Sequence, residues 1–302
     1  MHVRILILLL IVFCSQNVFA NIFDLLFPDR EKLTSSSQQI INVDELQTII
    51  PLLEIPAKSN SDSASNYLNW AVQTAIKYST NLDSENNNAI FFKYDLNSDG
   101  EDDIIFNGNI GPPEDVIFIW QNVGGKYKFI CTYRGNVESF LKNENSNLLS
   151  VIIVSENCCA SYVNEISVVS PKLKENIISF NLSERFKNFI ALEYPIGTKI
   201  ITPIKFSTLN ENYRMRSKPS IDDTLYQNSI AFESATIPGN IISEFNVGST
   251  GVAIASFTDE DNRIWWLVKM DVNMKTSYNL FYNDEGAHKC GWMSSKYLKC
   301  FL

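Results

Sequence analysis

The sequence predicts a mainly β protein of two domains: an α+β domain with an antiparallel sheet and one or two helices, then a small β-barrel. Residues 89–181 contain a succession of short segments rich in β-branched and aromatic residues, which is typical of strands. One amphipathic stretch, residues 66–79, has the period of a helix. After residue 195 the pattern changes to short strands between long polar loops, which favours a small barrel. A length of 302 residues is sufficient for two compact domains.

The first twenty residues predict an exported protein. Residues 1–4 carry a basic side chain, residues 5–13 are apolar, and small Ala20 closes the segment, which is the pattern of a signal peptide. The apolar run is too short for a permanent membrane span. Cys14 raises a lipoprotein alternative, which bulky Phe13 disfavours. We therefore expect cleavage after Ala20 and a periplasmic or secreted bacterial protein.

The charge of the chain narrows the classes of partner. The full sequence carries 25 basic and 34 acidic side chains, for a net charge of −9. Removal of the signal peptide takes away Arg4 and leaves 24 − 34 = −10. An acidic surface repels phosphate-rich partners, so we expect neither nucleic acid nor anionic lipid as a ligand.

The stretch 21–64 predicts an N-terminal segment and linker. Residues 22–27 are apolar enough for a short anchoring helix. Asn42 can cap a second short helix, and Pro51 ends it because proline cannot continue the hydrogen-bond ladder. Residues 59–65 are polar and form the predicted link to the α+β domain, which we place at 65–195.

Residues 66–79 and the segments that follow them predict the elements of this domain. The apolar positions of the helix share one face, which we expect to pack on a sheet. Gly124-Gly125 is typical of a hairpin turn. The predicted strands are 89–94, 103–107, 115–121, 126–133, 148–155, 162–169 and 176–181.

A dense acidic loop separates the first two predicted strands. Its oxygen-bearing side chains alternate along the chain, and Gly100 permits the sharp bend that brings them together. Hard oxygen donors at this spacing suit calcium, to which we assign a structural role. A metal-free turn stabilised by its own side chains is the alternative. The candidate metal residues are Asp95, Asn97, Asp99 and Asp103, through their side-chain oxygens, and Glu101, through its backbone carbonyl.

The acidic loop resembles a known calcium-binding element. It is similar to the D-x-N-x-D-G-x-x-D strand-loop-strand of FG-GAP/VCBS-type repeats, which bind calcium on a β scaffold. It departs from an EF-hand, because Phe106 stands where that motif requires glutamate. The match covers one hairpin and occurs once. The matching residues are Asp95, Asn97, Asp99, Gly100 and Asp103.

Five cysteines follow the predicted cleavage site, and export permits disulfides. We predict a bridge between Cys290 and Cys300, which flank the last apolar elements. Cys131 can pair with Cys158 or with Cys159, and one thiol is then left over.

The C-terminal region, residues 208–302, resembles a bacterial SH3 (SH3b) domain in three ordered blocks. The family pattern is V-R-S-x-P-S, then W-W-x-V, then G-W-x-x-x-x-Y-L. Lys218 departs from the usual glycine, and residues 271–290 are an insertion. The resemblance implies an SH3-like barrel that binds peptidoglycan, its peptides or an envelope protein. The matching residues are Met215, Arg216, Ser217, Pro219, Ser220, Trp265, Trp266, Val268, Gly291, Trp292, Tyr297 and Leu298.

Four aromatic residues are the predicted binding surface of this module: Tyr213, Trp266, Trp292 and Tyr297. Aromatic side chains offer a large contact area at a small entropy cost. Because side chains alternate along a strand, only one of Trp265 and Trp266 can face inward. The alternative for Trp292 is that it fills the core.

The sequence predicts a protein that is not an enzyme. The only histidine after the predicted cleavage site is His288, and no G-x-S-x-G motif occurs. We expect an exported binding protein of the cell envelope with a calcium-stabilised β domain. The alternatives are an inhibitor or immunity-type protein that binds a secreted or periplasmic enzyme, and a wall hydrolase with an unrecognised site.

Overall fold

The computed structural model describes most of the chain and confirms the mainly β class. Strands far outnumber helices among the described residues, and almost all of the pairings are antiparallel. No helix in this part of the chain is both long and apolar enough to cross a membrane. The described residues are 22–33, 39–57, 63–80, 90–110, 115–142, 147–156, 163–189, 192–222, 226–227, 236–237, 240–281 and 285–301.

Three helices lie in the N-terminal part: α1 at residues 22–26, α2 at Val43–Ile49 and α3 at Ser63–Thr80. Asn42 caps α2 as predicted, since its Oδ1 accepts a hydrogen bond from the Glu45 N–H at 2.9 Å. Two 3₁₀ turns occupy Ile50–Leu52 and Ser295–Tyr297.

Strands make up the rest of the regular structure. Those in the first part of the chain are β1 Arg30–Lys32, β2 Gln39–Ile40, β3 Ile90–Tyr94, β4 Asp103–Asn109, β5 Asp115–Val123, β6 Lys126–Arg134, β7 Asn136–Lys142, β8 Leu149–Glu156, β9 Val163–Lys174 and β10 Ile177–Phe189. Those in the second part are β11 Lys199–Thr208, β12 Tyr213–Arg216, β13 Tyr226–Gln227, β14 Thr236–Ile237, β15 Ile241–Phe245, β16 Thr250–Thr258, β17 Ile264–Met270, β18 Thr276–Asn279, β19 His288–Ser294 and β20 Leu298–Cys300.

The chain divides into two compact units, each assembled from separate stretches. Unit 2 contains Arg30–Ser155 and Ser167–Ser183, and unit 1 contains the remaining residues, chiefly Glu184–Leu302. These limits differ from the predicted domains. Residues 39–57, predicted as part of the N-terminal segment, belong to unit 2, whereas residues 184–195, predicted as part of the α+β domain, belong to unit 1.

Unit 2 contains an antiparallel sheet in the order β2-β3-β4-β5-β6, with α2 and α3 on one face. The predicted apolar stripe of α3 is buried there, because Ala71, Val72 and Ala75 pack against the sheet. Phe106 and Trp120 contribute from the strands.

The opposite face of that sheet is also buried. Strands β1, β7, β8, β9 and β10 form a second set of hydrogen-bonded neighbours in this order. Phe92, Ile105 and Ile117 pack with Phe140 and Val151 between the two sets. Strands β4 and β5 are apolar on both faces for this reason, as expected of central strands.

A bulge in β6 divides the alternating side chains of Tyr127, Phe129 and Cys131 between the two faces of the sheet. Ile119 pairs with Cys131, but its neighbour Trp120 pairs with Phe129, so β6 carries one extra residue. Tyr127 and Phe129 therefore pack with the helices, whereas Cys131 packs on the opposite face.

Unit 1 is built from the later strands. The hydrogen-bond order is β19-β17-β16-β11-β20, and β12 links β19 to β15 and β18. Residues Phe186–Asn188 of β10 pair in parallel with β19. Met215, Phe206 and Phe245 are fully buried in its core. In the described residues these pairings form an open order of strands, without the closed ring of a barrel.

Candidate functional site

The acidic loop of unit 2 curls around its own backbone N–H groups. The Asp95 carboxylate accepts hydrogen bonds from the Asp99 N–H at 3.2 Å and from the Gly100 N–H at 2.9 Å. Gly100 has a φ of +87°, in the left-handed region that glycine favours. The loop thus makes the bend for which the sequence provides glycine.

Asn97 and Asp99 lie inside the same curl. Asn97 Oδ1 accepts from the Asp99 N–H at 3.2 Å, and Asn97 Nδ2 donates to Asp99 Oδ2 at 2.8 Å. Asp99 Oδ1 also accepts from the Glu101 N–H at 2.8 Å. The structure therefore brings together the three alternating side chains of the predicted metal set.

Asp103, at the start of β4, anchors the loop to the buried part of the sheet. Its side chain is 1% exposed, and its two oxygens accept from the Leu96 N–H at 3.0 Å and the Asn122 N–H at 2.9 Å. Burial raises the pKa of Asp103 to about 7, against the opposing effect of these hydrogen bonds. Repulsion from Asp99 and Asp95 raises this pKa further.

Glu101 belongs to the predicted set through its backbone carbonyl oxygen. Its side chain is exposed and Oε2 accepts a long hydrogen bond from Asn122 Nδ2 at 3.4 Å. Among the described residues, no group of three acidic, histidine or cysteine side chains has the arrangement of a metal site. The donor set, made of carboxylate and amide oxygens, still has the chemistry that calcium prefers.

A groove in unit 1 is the second candidate site. It encloses about 430 Å³ beside β12, the turn between β16 and β17, and the 3₁₀ turn at Ser295–Tyr297. The described part of the 271–290 insertion does not line it. Its aromatic and charged lining residues are Tyr213, Trp265, Tyr297, Arg214, Arg216, Arg263, Lys296 and Glu211.

Two predicted binding residues meet in this groove. The rings of Tyr213 and Tyr297 lie 6.1 Å apart, edge to face at 87°. The Tyr213 hydroxyl donates to the Ser294 carbonyl at 2.5 Å, which fixes the ring, and Tyr297 is 39% exposed. Tyr297 therefore presents an accessible aromatic surface supported by a fixed one.

Trp265 forms a wall of the groove and organises the hairpin beside it. Its indole Nε1 donates to Asp259 Oδ2 at 2.8 Å, and Asp259 Oδ1 accepts from the N–H groups of Asp261 and Arg263 at 3.1 and 2.8 Å. Desolvation opposes ionisation of Asp259, but these hydrogen bonds lower its pKa below the usual value. The Arg263 guanidinium lies over the Trp265 ring, 5.6 Å from its centroid.

The other two predicted binding residues lie elsewhere. Trp292 is fully buried, and its Nε1 donates to the Glu193 carbonyl at 2.7 Å, so it is a core residue that a surface ligand does not reach. Trp266 is half-buried against the core of unit 1, near Phe206, and does not line the groove. Trp265 is the inward member of the tryptophan pair.

Several groove residues were missed by sequence reasoning. Arg263 and Lys296 are isolated charged residues in polar turns. The only sequence signal for either residue is its position close to Trp265 or Tyr297. Asn240 had no signal at all. It is buried, accepts from Arg216 Nη1 at 2.5 Å and donates to the carbonyls of Lys218 and Ser220, so it holds the Arg-Ser-Lys-Pro-Ser segment in place.

The predicted disulfide is not present in the structure. Cys290 and Cys300 are both free thiols, Cys290 buried in β19 and Cys300 exposed in β20. Three strands, β17, β16 and β11, separate β19 from β20 in the order of the sheet. Cys131 is also free, and Cys158 and Cys159 lie outside the described residues.

Comparison with known proteins identifies no relative. No family model matches the chain, and neither a curated protein nor a solved structure matches it. The resemblance of the C-terminal region to SH3b domains is therefore carried by its three sequence blocks alone.

Proposed function

We propose that this is a non-enzymatic exported binding protein whose SH3b-like region contacts peptidoglycan or an envelope protein through the groove of unit 1. The observation that carries the proposal is the exposed ring of Tyr297, held edge to face against Tyr213 beside a cavity of about 430 Å³. A concave site with fixed aromatic walls is the usual form of a ligand pocket. The signal-peptide pattern of residues 1–20 supports a periplasmic or secreted location.

Buried anchors support a preformed groove. Trp292 bonds the Glu193 carbonyl, and the Glu193 N–H in turn donates to the Ser217 carbonyl at 2.8 Å. Asn240 holds the same segment from its other side. A site held by buried hydrogen bonds loses little conformational entropy when a ligand binds.

The proposal assigns no catalytic residue. His288 lies outside the groove lining, where its Nδ1 is 2.8 Å from the Met270 carbonyl oxygen and its ring packs on Phe186. The groove itself combines tyrosine, arginine and lysine side chains, which suit recognition.

Retention on purified envelope components tests the proposal. We expect the mature protein to remain on peptidoglycan or with one envelope protein, and Tyr297→Ala to reduce retention. Phe301→Ala is the matched control, because Phe301 is 47% exposed but lies outside the groove. Equal retention of both variants contradicts the assignment of the groove, and release of muropeptides by the purified protein identifies an enzyme instead.

An inhibitor or immunity-type role is the alternative. The exposed carboxylates of Asp99 and Glu101, on a chain of net charge −9, favour a basic partner enzyme. Co-purification of a basic secreted enzyme, together with passage through peptidoglycan without retention, supports this alternative.

We also propose that the acidic loop binds calcium, with Asp95, Asn97, Asp99 and Asp103 supplying oxygens. Repulsion among these carboxylates opposes folding, and a bound cation removes it. Calcium should then raise the melting temperature. At a calcium concentration one hundred times the dissociation constant, the free energy of unfolding should increase by about 2.7 kcal/mol.

Asp99→Asn tests the calcium site. The amide keeps the oxygen that accepts the Glu101 N–H, but it loses one charge and the oxygen that accepts from Asn97 Nδ2. We expect differential scanning calorimetry to show a smaller calcium-induced shift for the variant than for the wild type. A wild-type melting temperature that calcium leaves unchanged contradicts the metal proposal.

A further inference from the structure

The groove of unit 1 has the opposite charge to the chain as a whole. The protein has a net charge of −9, yet four basic residues and one acidic residue line this cavity. A concave surface concentrates the field of the charges that line it. The groove is therefore a local site for anions on a protein that otherwise repels them.

Two of these cations, those of Arg263 and Lys296, form no hydrogen-bonded ion pair with a carboxylate among the described residues. Arg263 lies over the ring of Trp265, and the Lys296 ammonium lies 5.1 Å from the ring centroid of Tyr297. Arg214, by contrast, forms an ion pair with Glu244 at 3.2 Å. The aromatic rings hold both charges in place through cation–π contacts and leave their hydrogen-bond donors available.

Asp259 attracts the charge of Arg263, but it does not form a hydrogen bond to the guanidinium. Asp259 instead accepts from the indole N–H of Trp265 and from two backbone N–H groups of its own turn. The turn thus fixes the base of the Arg263 side chain while the charged group stays over the ring. The Arg263 guanidinium is therefore held in a fixed position at the edge of the groove.

We propose that the groove binds an acidic peptide segment of a partner protein, with Arg263 and Lys296 pairing with its carboxylates and Tyr297 packing on its aliphatic atoms. This inference rests on the proposed binding function and specifies its ligand. The amide side chains of Asn210 and Asn212 also line the groove and suit a neutral peptide backbone.

The charge distribution favours a peptide over a dense polyanion. Glu211 stands in the groove, with Oε2 accepting from the Val247 N–H at 3.2 Å, and it repels a second anion close by. The net negative charge of the whole chain repels a long phosphate polymer. A peptide with a few spaced carboxylates meets the two cations without these penalties.

Fluorescence anisotropy with a defined probe tests the inference. The probe is a fluorescein-labelled hexaglutamate peptide with an amidated C-terminus, and labelled hexaglutamine is the neutral control. We expect the wild-type mature chain to bind hexaglutamate more tightly than hexaglutamine, with an affinity that falls as salt is added.

Substitutions of opposite expected sign make the test specific. Arg263→Gln and Lys296→Gln should each weaken hexaglutamate binding by about two- to fivefold, the range of an exposed ion pair. Glu211→Gln should strengthen binding by a similar factor, and it keeps an oxygen for the Val247 N–H. Lys299→Gln is the control, because Lys299 is exposed on β20 outside the groove.

Three outcomes overturn the inference: equal binding of the two peptides, equal affinity of all four variants, or displacement of hexaglutamate by polyphosphate at lower concentration than by unlabelled peptide. Its failure is distinguishable from failure of the proposed function. If Arg263→Gln/Lys296→Gln remains on peptidoglycan or the envelope protein as the wild type does, while Tyr297→Ala does not, the groove binds a ligand of different chemistry.

Discussion

Asp103 shows how one buried carboxylate organises a loop. Its two oxygens accept hydrogen bonds from the N–H of Leu96, in the loop itself, and from the N–H of Asn122, in strand β5. The benefit is two satisfied donors in a buried position, and the cost is a charge removed from water. Nearby Asp95 and Asp99 increase that cost by repulsion.

This cost predicts a pH dependence of stability in the presence of a chelator. The folded-state pKa of Asp103, about 7, is above its unfolded value of 3.8, so the folded protein binds the proton more tightly. The contribution of Asp103 is therefore complete below about pH 4 and is lost as the pH rises through 7. The slope is at most about 1.4 kcal/mol per pH unit.

Urea denaturation of the wild type and Asp103→Asn between pH 4 and 8 measures this effect. The variant cannot titrate at this position, and it should lose about 1–3 kcal/mol at low pH because an NH₂ group replaces one acceptor. The difference in unfolding free energy should shrink as the pH rises. Parallel curves for the two proteins contradict the assigned pKa.

The cysteines provide a second prediction for single residues. Burial raises the pKa of Cys290 and of Cys131 to about 12, so both remain unreactive thiols at pH 8. Cys300 is exposed. Iodoacetamide should modify exposed Cys300 in the native protein, half-buried Cys131 more slowly, and buried Cys290 only in denaturant, as read by peptide mapping. Rapid native modification of Cys290 contradicts its burial.

At the scale of elements, Gly135 joins β6 to β7 where no side chain fits. Its φ is +111°, and a Cβ atom there would lie 2.3 Å from the Val154 carbonyl oxygen. Gly125 also has a positive φ, +80°, but nothing lies within 4 Å of its Cβ position. Alanine substitutions at Gly135 and Gly125 therefore distinguish the energetic cost of steric overlap from that of backbone strain.

Gly135→Ala should cost about 2–4 kcal/mol, because overlap adds to strain. Gly125→Ala should cost about 1 kcal/mol, from the left-handed backbone alone. Urea midpoints with a constant m-value measure both. Equal destabilisation by the two variants contradicts the close approach of β7 and β8 at Gly135.

Local patterns predicted much of the secondary structure. The α3 stripe, the Asn42 cap and the Gly124-Gly125 turn all depend on residues a few positions apart, and each is confirmed. Strand β7 was missed because its polar residues resemble a loop until β8 pairs with it. The bulge in β6 was invisible, since the partner strand determines which residue is extra.

In the candidate sites too, residues in local sequence patterns were predicted, whereas residues that depend on distant partners were not. Tyr297 was found because it belongs to a recognisable block, and Tyr213 because it lies next to one; the two rings meet in the groove. Trp292 was predicted as a binding residue with the core as the alternative, and a hydrogen bond to distant Glu193 holds it in the core. Arg263 and Lys296 could not be identified as groove residues from the sequence, because only the folded structure places their charges against the rings of Trp265 and Tyr297.

At the scale of the molecule, the two units do not coincide with consecutive halves of the chain. Strand β11 lies between β16 and β20 in unit 1, yet the predicted C-terminal domain, starting at residue 208, includes only its last residue. A fragment of residues 208–302 should therefore fold less well than one of residues 184–302.

Near-ultraviolet circular dichroism of the two fragments tests this expectation. Both fragments contain Trp265, Trp266 and Trp292, so their aromatic signals are directly comparable. We expect the longer fragment to retain a strong tryptophan signal and the shorter one to lose most of it. Equal signals contradict a structural role for β11 in the core of unit 1.

Residues near the start of the chain pack against residues that are synthesised much later. Ile22 and Phe23 are buried, and the ring of Phe27 packs edge to face on Phe186, 5.4 Å away. Ribosomes release these early residues long before Phe186 has been made. The early segment therefore stays without its packing partner until more than half of the chain has been synthesised.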